Sequence, residues 1–555
     1  MSAQSGLRSA LAALAAVCVI AGCGSRPAYW DSPVTITTTV GLPSGVALVD
    51  DTDHRLVVLT ADADLNLTAR SYPIGHNVAT TATSADGSTL FVLSAGDTNP
   101  TNAQDGPSLT TIQVDPTTSK VTPQQYAMSQ PCTSLAVDPL GHWAVAYAQT
   151  GFVQNQNELV IFDLTLSPAS ATGANPNPIT HTLQSFGGTP QQLTFTPPLL
   201  VDPALGVAVP GGSVNGDRRL LVIETQIDVS LLDLDHAFDN PPRPEFTIPL
   251  TPEASTQSTT PAGVAIDGFD ATDSADAVLA VRTSNDTNVY IVSFGPPGPT
   301  DKNDFSPVVS QTPVGGIVSD IAFVHANGAL RLAVLIPQLT AALLVDPSAA
   351  GSGVIPPTVS LPQPYSTLSL VTPAAGAGAA ASDVALLWNG VSTNGVALWT
   401  LGQALTQSYF SIDVPGVSVP IQTVSDVPNS SSLMVLEPSN GSGFFVLNLQ
   451  SDEVAPLTAT TTPTLSIAPD GGRVWAFVPG ETELAMIDFS TLNPIPLNDT
   501  APIDAAYDIA IAGASPARAL VALHLEGSVG ATVFNALTPN TKPPRRTSSL
   551  LLEAP

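Results

Sequence analysis

The chain reads as all-β and assembled from repeated units, on three observations. No long stretch carries apolar residues at the 3.6-residue helical period. Short runs rich in Val, Ile, Leu, Phe and Thr recur instead in groups of three, each group followed by a Pro-, Thr- or Ser-rich connection. Asp-Gly pairs stand between apolar runs, and Gly takes the positive φ of a tight hairpin at no steric cost.

In chain order, the first element is an export signal. Arg8 supplies positive charge, residues 11–20 form a short apolar run, and Ile20-Ala21-Gly22-Cys23 follows. That run is too short to cross a hydrocarbon layer of ~30 Å as a helix. The tetrapeptide resembles the lipobox of bacterial lipoproteins. The resemblance implies cleavage before Cys23, a diacylglycerol thioether on its sulfur and acylation of its new amino group. Two or three acyl chains, at ~0.8 kcal/mol per buried methylene, hold a soluble domain at a membrane it does not cross. Residues 1–22 are therefore expected to be a signal peptide and 23–33 a lipidated tether, with the membrane as a partner. Gly24 is not the Asp that retains such proteins at the inner membrane of enteric bacteria, which favours the outer membrane in a Gram-negative cell, on either face.

Residues 34–538 hold the units. The clearest has runs at 79–84, 90–93 and 109–115, with Asp86-Gly87 in its first turn. The same order recurs at 465–467, 474–477 and 484–488, and at 135–137, 143–146 and 159–163. Weaker copies start at Val264 and Ile321, and further ones near Val46, Gln191, Leu368, Thr423 and Ile509. The spacing brackets the ~40 to 50 residues of known propeller repeats. Each unit therefore reads as one four-stranded antiparallel blade of a β-propeller. There are ten candidate units, and seven to ten blades are compatible with the sequence. A set of β-sandwich domains would also alternate strands and turns, but the unit is too short for a sandwich and no linker separates the copies.

Residues 84–92 (SADGSTLFV) and 468–476 (APDGGRVWA) resemble the repeats of the YVTN, lactonase-like and TolB-like propeller families, in which a strand, a Pro-Asp-Gly turn and a second strand open each blade. The Tyr-Val-x-Asn tetrapeptide itself is absent. The last unit supplies three strands ending at 532–534. The β-branched run 34–40 is therefore expected to complete the final blade and close the ring, leaving no long edge exposed. The Pro-rich tail 539–555 is expected to be a mobile extension, the alternative being that Leu550-Leu551-Leu552 supplies the closing strand.

Composition limits function. With 16 Lys plus Arg against 46 Asp plus Glu, the formal charge is −30. Such a surface repels nucleic-acid phosphates, so nucleic acid is not an expected partner. Of the three cysteines, Cys18 lies in the signal and Cys23 at the lipid. Cys132 is then left alone, without a disulfide or a Cys-x-x-Cys pair, and reads as a small buried hydrophobe. There is no Gly-x-Ser-x-Gly elbow, His-Glu-x-x-His helix or phosphate loop. The stretch Gly376 to Ala381 fits a dinucleotide fingerprint only formally, because no βαβ unit surrounds it. The seven histidines are scattered singly. No catalytic or cofactor-binding residue is assigned.

The one metal-like constellation is a hairpin loop with Asp267, Asp270, Asp273 and Asp276. Calcium takes six to eight hard oxygens, which such a loop offers in part, and it resembles the calcium loops of integrin-type propellers. Its carboxylates recur every third residue, however, and a solvated turn is the alternative.

Three functions fit these readings. The first is a lipid-anchored binding or scaffold module for an envelope protein or a glycan. The second is an enzyme of lactonase or glycan-lyase type, and the absent motifs speak against it. The third is an outer-membrane assembly factor similar to the lipoprotein propellers of the β-barrel insertion machinery. For that family a Trp-docking motif is expected in most blades, yet only Trp143, Trp388, Trp399 and Trp475 fall within units. A channel lined by Ser, Thr and apolar residues favours binding, and converging charged groups favour catalysis.

Overall fold

The structure is a computed structural model that describes residues 36–547 apart from linking segments, the longest being 201–216, 268–277, 295–306 and 372–383. Ten four-stranded antiparallel sheets follow one another along the chain. They span residues 36–73, 78–127, 134–182, 190–248, 261–313, 320–360, 367–412, 421–458, 464–496 and 506–547, numbered here as sheets 1 to 10. A two-stranded hairpin, Leu199–Leu200 with Asp217–Arg218, is inserted in sheet 4. The described helices are short 3-10 turns such as Pro337–Leu339. Among the described residues no helix is long and apolar enough to cross a membrane.

Strands within each sheet pair in chain order. The first strands of successive sheets lie against one another, as Asp320–Ala326 does between Pro261–Asp267 and Thr367–Val371. The first strand is therefore innermost and the fourth outermost, and Ile36–Leu42 lies against Ala506–Ala512, so sheet 1 meets sheet 10. This is the expected β-propeller. Sheets pack about 10 Å apart, so ten of them set a circumference of roughly 100 Å and an inner backbone diameter of roughly 30 Å.

The packing follows from the period-2 alternation of the strands, which sends successive side chains to opposite neighbours. Second strands such as Trp143–Tyr147 and Leu220–Thr225 are buried throughout. Apolar clusters accordingly lie between consecutive sheets. Val145, Leu159 and Ile161 of sheet 3 pack on Leu221, Ile223 and Leu232 of sheet 4. The anticipated hairpins are present: Gly87 has φ 68° and Gly141 φ 72°, and Gly87 N–H donates to Ser84 O at 2.8 Å. Trp143, Trp388, Trp399 and Trp475 occupy different places in their sheets, so they form no repeated docking motif.

Three expectations are corrected. Residues 34–40 do not complete the final blade. Ile36–Leu42 pairs with Gly45–Asp50 as the inner strand of sheet 1, from Ile36↔Asp50 to Leu42↔Gly45. Closing a hairpin over two residues costs far less chain entropy than pairing across the whole chain. It follows that Val46 lies on a second strand and does not open a unit. The propeller also runs beyond residue 538: Arg545–Thr547 pairs with the strand Ala531–Asn535 and completes sheet 10. The ring thus closes by packing of sheet 1 on sheet 10, each built from consecutive chain. Leu550 to Leu552 lie outside the described residues.

Candidate functional site: the channel and its charged rim

The channel wall is made by the first strands. Several are half-exposed along their lengths, as in Ile36–Leu42 (ITTTVGL), Val78–Thr83 (VATTAT) and Ser134–Val137 (SLAV), whereas described second strands such as Trp143–Tyr147 are buried. None of the ten first strands contains Lys or Arg, and their residues are mostly Thr, Ser, Ala, Val, Ile, Leu and Gln. The wall thus offers hydroxyls, carboxamides and small apolar groups, with acidic residues at Asp267, Asp320, Asp426 and Asp508 and one histidine, His325.

Charged groups stand at both rims: at the end where second strands start and third strands end, Arg331 pairs with Asp346 at 3.2 Å and Arg473 with Asp488 at 3.9 Å, and the opposite rim carries two further groups. Antiparallel order puts four features at the same end of a sheet: the start of its first strand, the connection from the preceding sheet, the end of its second strand and the start of its third. In sheets 1 and 2 this end holds two histidines and several aspartates. His54, with φ 49°, sits in the turn between the second and third strands of sheet 1. His76 lies in the connection to sheet 2, and the two rings stack with centroids 3.6 Å apart.

His76 Nδ1 is 2.9 Å from Asp97 Oδ2, and its Nε2 is 3.9 Å from Asp105 Oδ1. The imidazole thus stands between the two carboxylates. Asn77 Nδ2 donates to Asp97 Oδ1 at 3.1 Å and to Gly96 O at 3.0 Å, fixing the loop. The Thr101 hydroxyl donates to Asp105 at 2.7 Å, and with the Thr101 and Asn102 N–H groups it holds that carboxyl below its ordinary range. Beneath the stack, Arg55 Nε donates to the fully buried Asp50 carboxylate at 2.9 Å, with Asp53 at 3.6 Å.

A second group occupies the same rim on sheets 4 to 6. Glu224 ends a second strand, Arg282 lies near the end of the next sheet's second strand, and Asp320 opens the first strand of sheet 6. Glu224 Oε1 and Arg282 Nε are buried without a hydrogen-bond partner among the described residues. Gly263 makes room for the guanidinium, since a Cβ there would stand 2.8 Å from Arg282 Nε. Burial pushes the Glu224 carboxyl up to about 7, against the pull of Arg282. Burial also raises Asp320, against hydrogen bonds from Leu368 and Ile321 N–H.

Glu224 therefore makes stability pH-dependent. The folded chain holds a proton there between pH 4.5 and about 7 that the unfolded chain releases, so stability falls as pH rises through that window. Glu224→Gln is expected to remove a slope worth on the order of 3 kcal/mol across it. Denaturation midpoints with the same pH slope in both proteins would refute this.

Of the residues singled out from sequence, Asp267 ends the first strand of sheet 5, opposite Val278. Asp270, Asp273 and Asp276 lie outside the described residues, as do Cys23 and the stretch 376–381. Among the described residues no group of three His, Cys, Asp or Glu side chains is arranged to hold a metal ion. Cys132 is buried among apolar residues of sheets 2 and 3, and burial together with Glu158 pushes its thiol up to about 12. The rim residues were missed because they are far apart in sequence.

No protein-family model matches the chain, and no curated protein is similar to it. Similar solved structures include the dihydro-heme d1 dehydrogenase NirN in complex with DHE, at 13% identity and TM-score 0.35 over 79% of this chain and 76% of that one. Apo AztD from Citrobacter koseri is 10% identical, with TM-score 0.36 over 79% and 91%. The Dos1 propeller is 13% identical, with TM-score 0.38 over 71% and 90%. Likeness at this level carries nothing about activity or ligand, and the ten-sheet topology stands on the strand pairing of the chain itself.

Proposed function

We propose that this chain is a lipid-anchored β-propeller of the cell envelope that binds or scaffolds an envelope protein or glycan. The observation that carries the binding part is the channel wall: ten first strands without a Lys or Arg, rich in hydroxyls and small apolar side chains. Catalysis needs charged groups converging on one substrate, and the groups on sheets 1–2 and 4–6 stand apart on one rim, away from the pairs Arg331–Asp346 and Arg473–Asp488 at the other.

The anchoring part rests on the Ile20-Ala21-Gly22-Cys23 tetrapeptide. From Cys23 to Ile36 there are thirteen residues, a reach of at most about 45 Å when extended. Ile36 begins the first strand of sheet 1, so the tether joins the ring at the rim that carries His54 and His76. On this reading the tether keeps that rim within about 45 Å of the lipid.

Affinity purification from native membranes tests the proposal. The wild-type chain is expected to retain at least one envelope protein or glycan that a Cys23→Ser chain loses together with its membrane association. Equal membrane association of both chains, or no partner that depends on the anchor, would refute it.

A further inference from the structure

On the rim away from the tether, one contact between sheets departs from the rule that builds the ring. The third strand of a sheet normally turns two apolar residues, two positions apart, into the next sheet. Leu56 and Val58 do so in sheet 1, Leu159 and Ile161 in sheet 3, and Val289 and Ile291 in sheet 5. In sheet 2 the corresponding strand, Ser108–Val114, presents Leu109 and then Thr111 and Gln113. Registration places Gln124 opposite Thr111 and Thr122 opposite Gln113 on the fourth strand, and Phe91 opposite Thr111 on the second. The row through Leu93, Leu109 and Tyr126 is core. In the next two rows the third and fourth strands are polar, while Phe91 of the second strand continues the apolar contact with sheet 3.

A cavity of ≈ 130 Å³ opens where the core stops, closed on the far side by Gly141 and Leu164 of sheet 3. Its lining has no ionisable acid or base, in a chain of net charge −30. Thr111 is 7% exposed although it faces this space. Thr111, Gln113 and Thr122 direct no side-chain hydrogen bond to any described residue, whereas the Tyr126 hydroxyl is placed by Gln124 Oε1 at 3.0 Å and Leu166 O at 3.1 Å. Carboxamides and hydroxyls both donate and accept, which is what a ring of sugar hydroxyls requires, and Phe91 adds an apolar side to the lining. A site that breaks the local packing rule and leaves Thr111, Gln113 and Thr122 without side-chain bonds among the described residues is where binding is expected.

We propose that this cleft between sheets 2 and 3 binds one neutral sugar residue of an envelope glycan. The proposal rests on the glycan arm of the function proposed above and names its subsite and ligand class.

The test uses the full chain carrying Cys23→Ser, probed on immobilised maltohexaose, cellohexaose, mannohexaose and chitohexaose, with oligogalacturonate as the charged control. Retention is expected on at least one neutral oligosaccharide and not on oligogalacturonate. Thr111→Val with Gln124→Leu is expected to weaken that retention roughly tenfold or more, as loss of one or two hydrogen bonds would. The same variant restores the apolar rule, so its thermal midpoint is expected to stay level or rise, which separates lost binding from lost folding.

No retention of any neutral probe at millimolar concentration, or unchanged retention by the variant, would overturn the proposal and leave the cleft a water-filled gap. Because this assay involves no membrane, its failure is distinct from failure of the anchor-dependent purification.

Discussion

Arg55→Ala is expected to destabilise the protein by about 3–5 kcal/mol, the cost of leaving a buried charge without its partner. Asp50 is fully buried at the end of a second strand, and Arg55 opens the third strand across the same turn, with side chains 0% and 7% exposed. Removing the guanidinium strands the Asp50 carboxylate away from water, with Asp53 close by as a second negative charge. The pair closes the turn that holds His54, so the His54–His76 stack is expected to loosen with it. Asp50→Asn combined with Arg55→Met is expected to recover most of the loss, since a neutral pair leaves no stranded charge. Denaturant midpoints of the singles and the double measure this. A double variant as unstable as the sum of both singles would show that the pair does not act as a unit.

Trp399→Ala is the second large expected effect, again about 3–5 kcal/mol. Trp399 lies on the third strand of sheet 7, is 0% exposed, and packs with Ala333, Leu335 and Tyr365 in the cluster joining sheets 6 and 7. Truncation loses the transfer energy of the indole and leaves a cavity that stiff paired strands fill only in part. Trp399→Phe is expected to cost less than half as much, because the buried indole N–H has no partner among the described residues and no hydrogen bond to them is lost with it. Thermal and denaturant melts check both. A loss below about 1 kcal/mol for the Ala variant would mean that the two sheets do not share this core.

Much of the blade pattern is legible in the sequence because it is local. Asp138 illustrates why: it follows the inner strand of sheet 3, accepts N–H bonds from Leu140 and His142, and turns the chain at Gly141 within four residues. Where the local signal was weak, the reading failed. The inner strand of sheet 1 reads as part of the last blade because the last unit shows only three strands in sequence, and the Pro43-Ser44 connection carries no Asp-Gly turn signal. Arg545–Thr547 is three residues in a Pro-rich segment, and only its partner strand makes it a strand. Outer strands such as Glu453–Thr458 carry Pro456 because they pair on one side only, and this weakens their sequence signature.

The charged rim was not legible at all. His76 and Asp97 are 21 residues apart, and Glu224, Arg282 and Asp320 belong to three different sheets. No periodicity or motif spacing links such residues.

The sequence by itself determined the alternation of short strands and tight turns and the negative net charge. Each of these depends on residues within one hairpin of each other or on composition alone. Only the tertiary structure decided that the ring closes by packing of sheet 1 on sheet 10, that His54 stacks on His76, and that the core gives way to a polar cleft between sheets 2 and 3. The physical reason is range: backbone hydrogen bonds and turn torsions act between near neighbours, whereas these features depend on how each sheet's two faces meet the sheets before and after it.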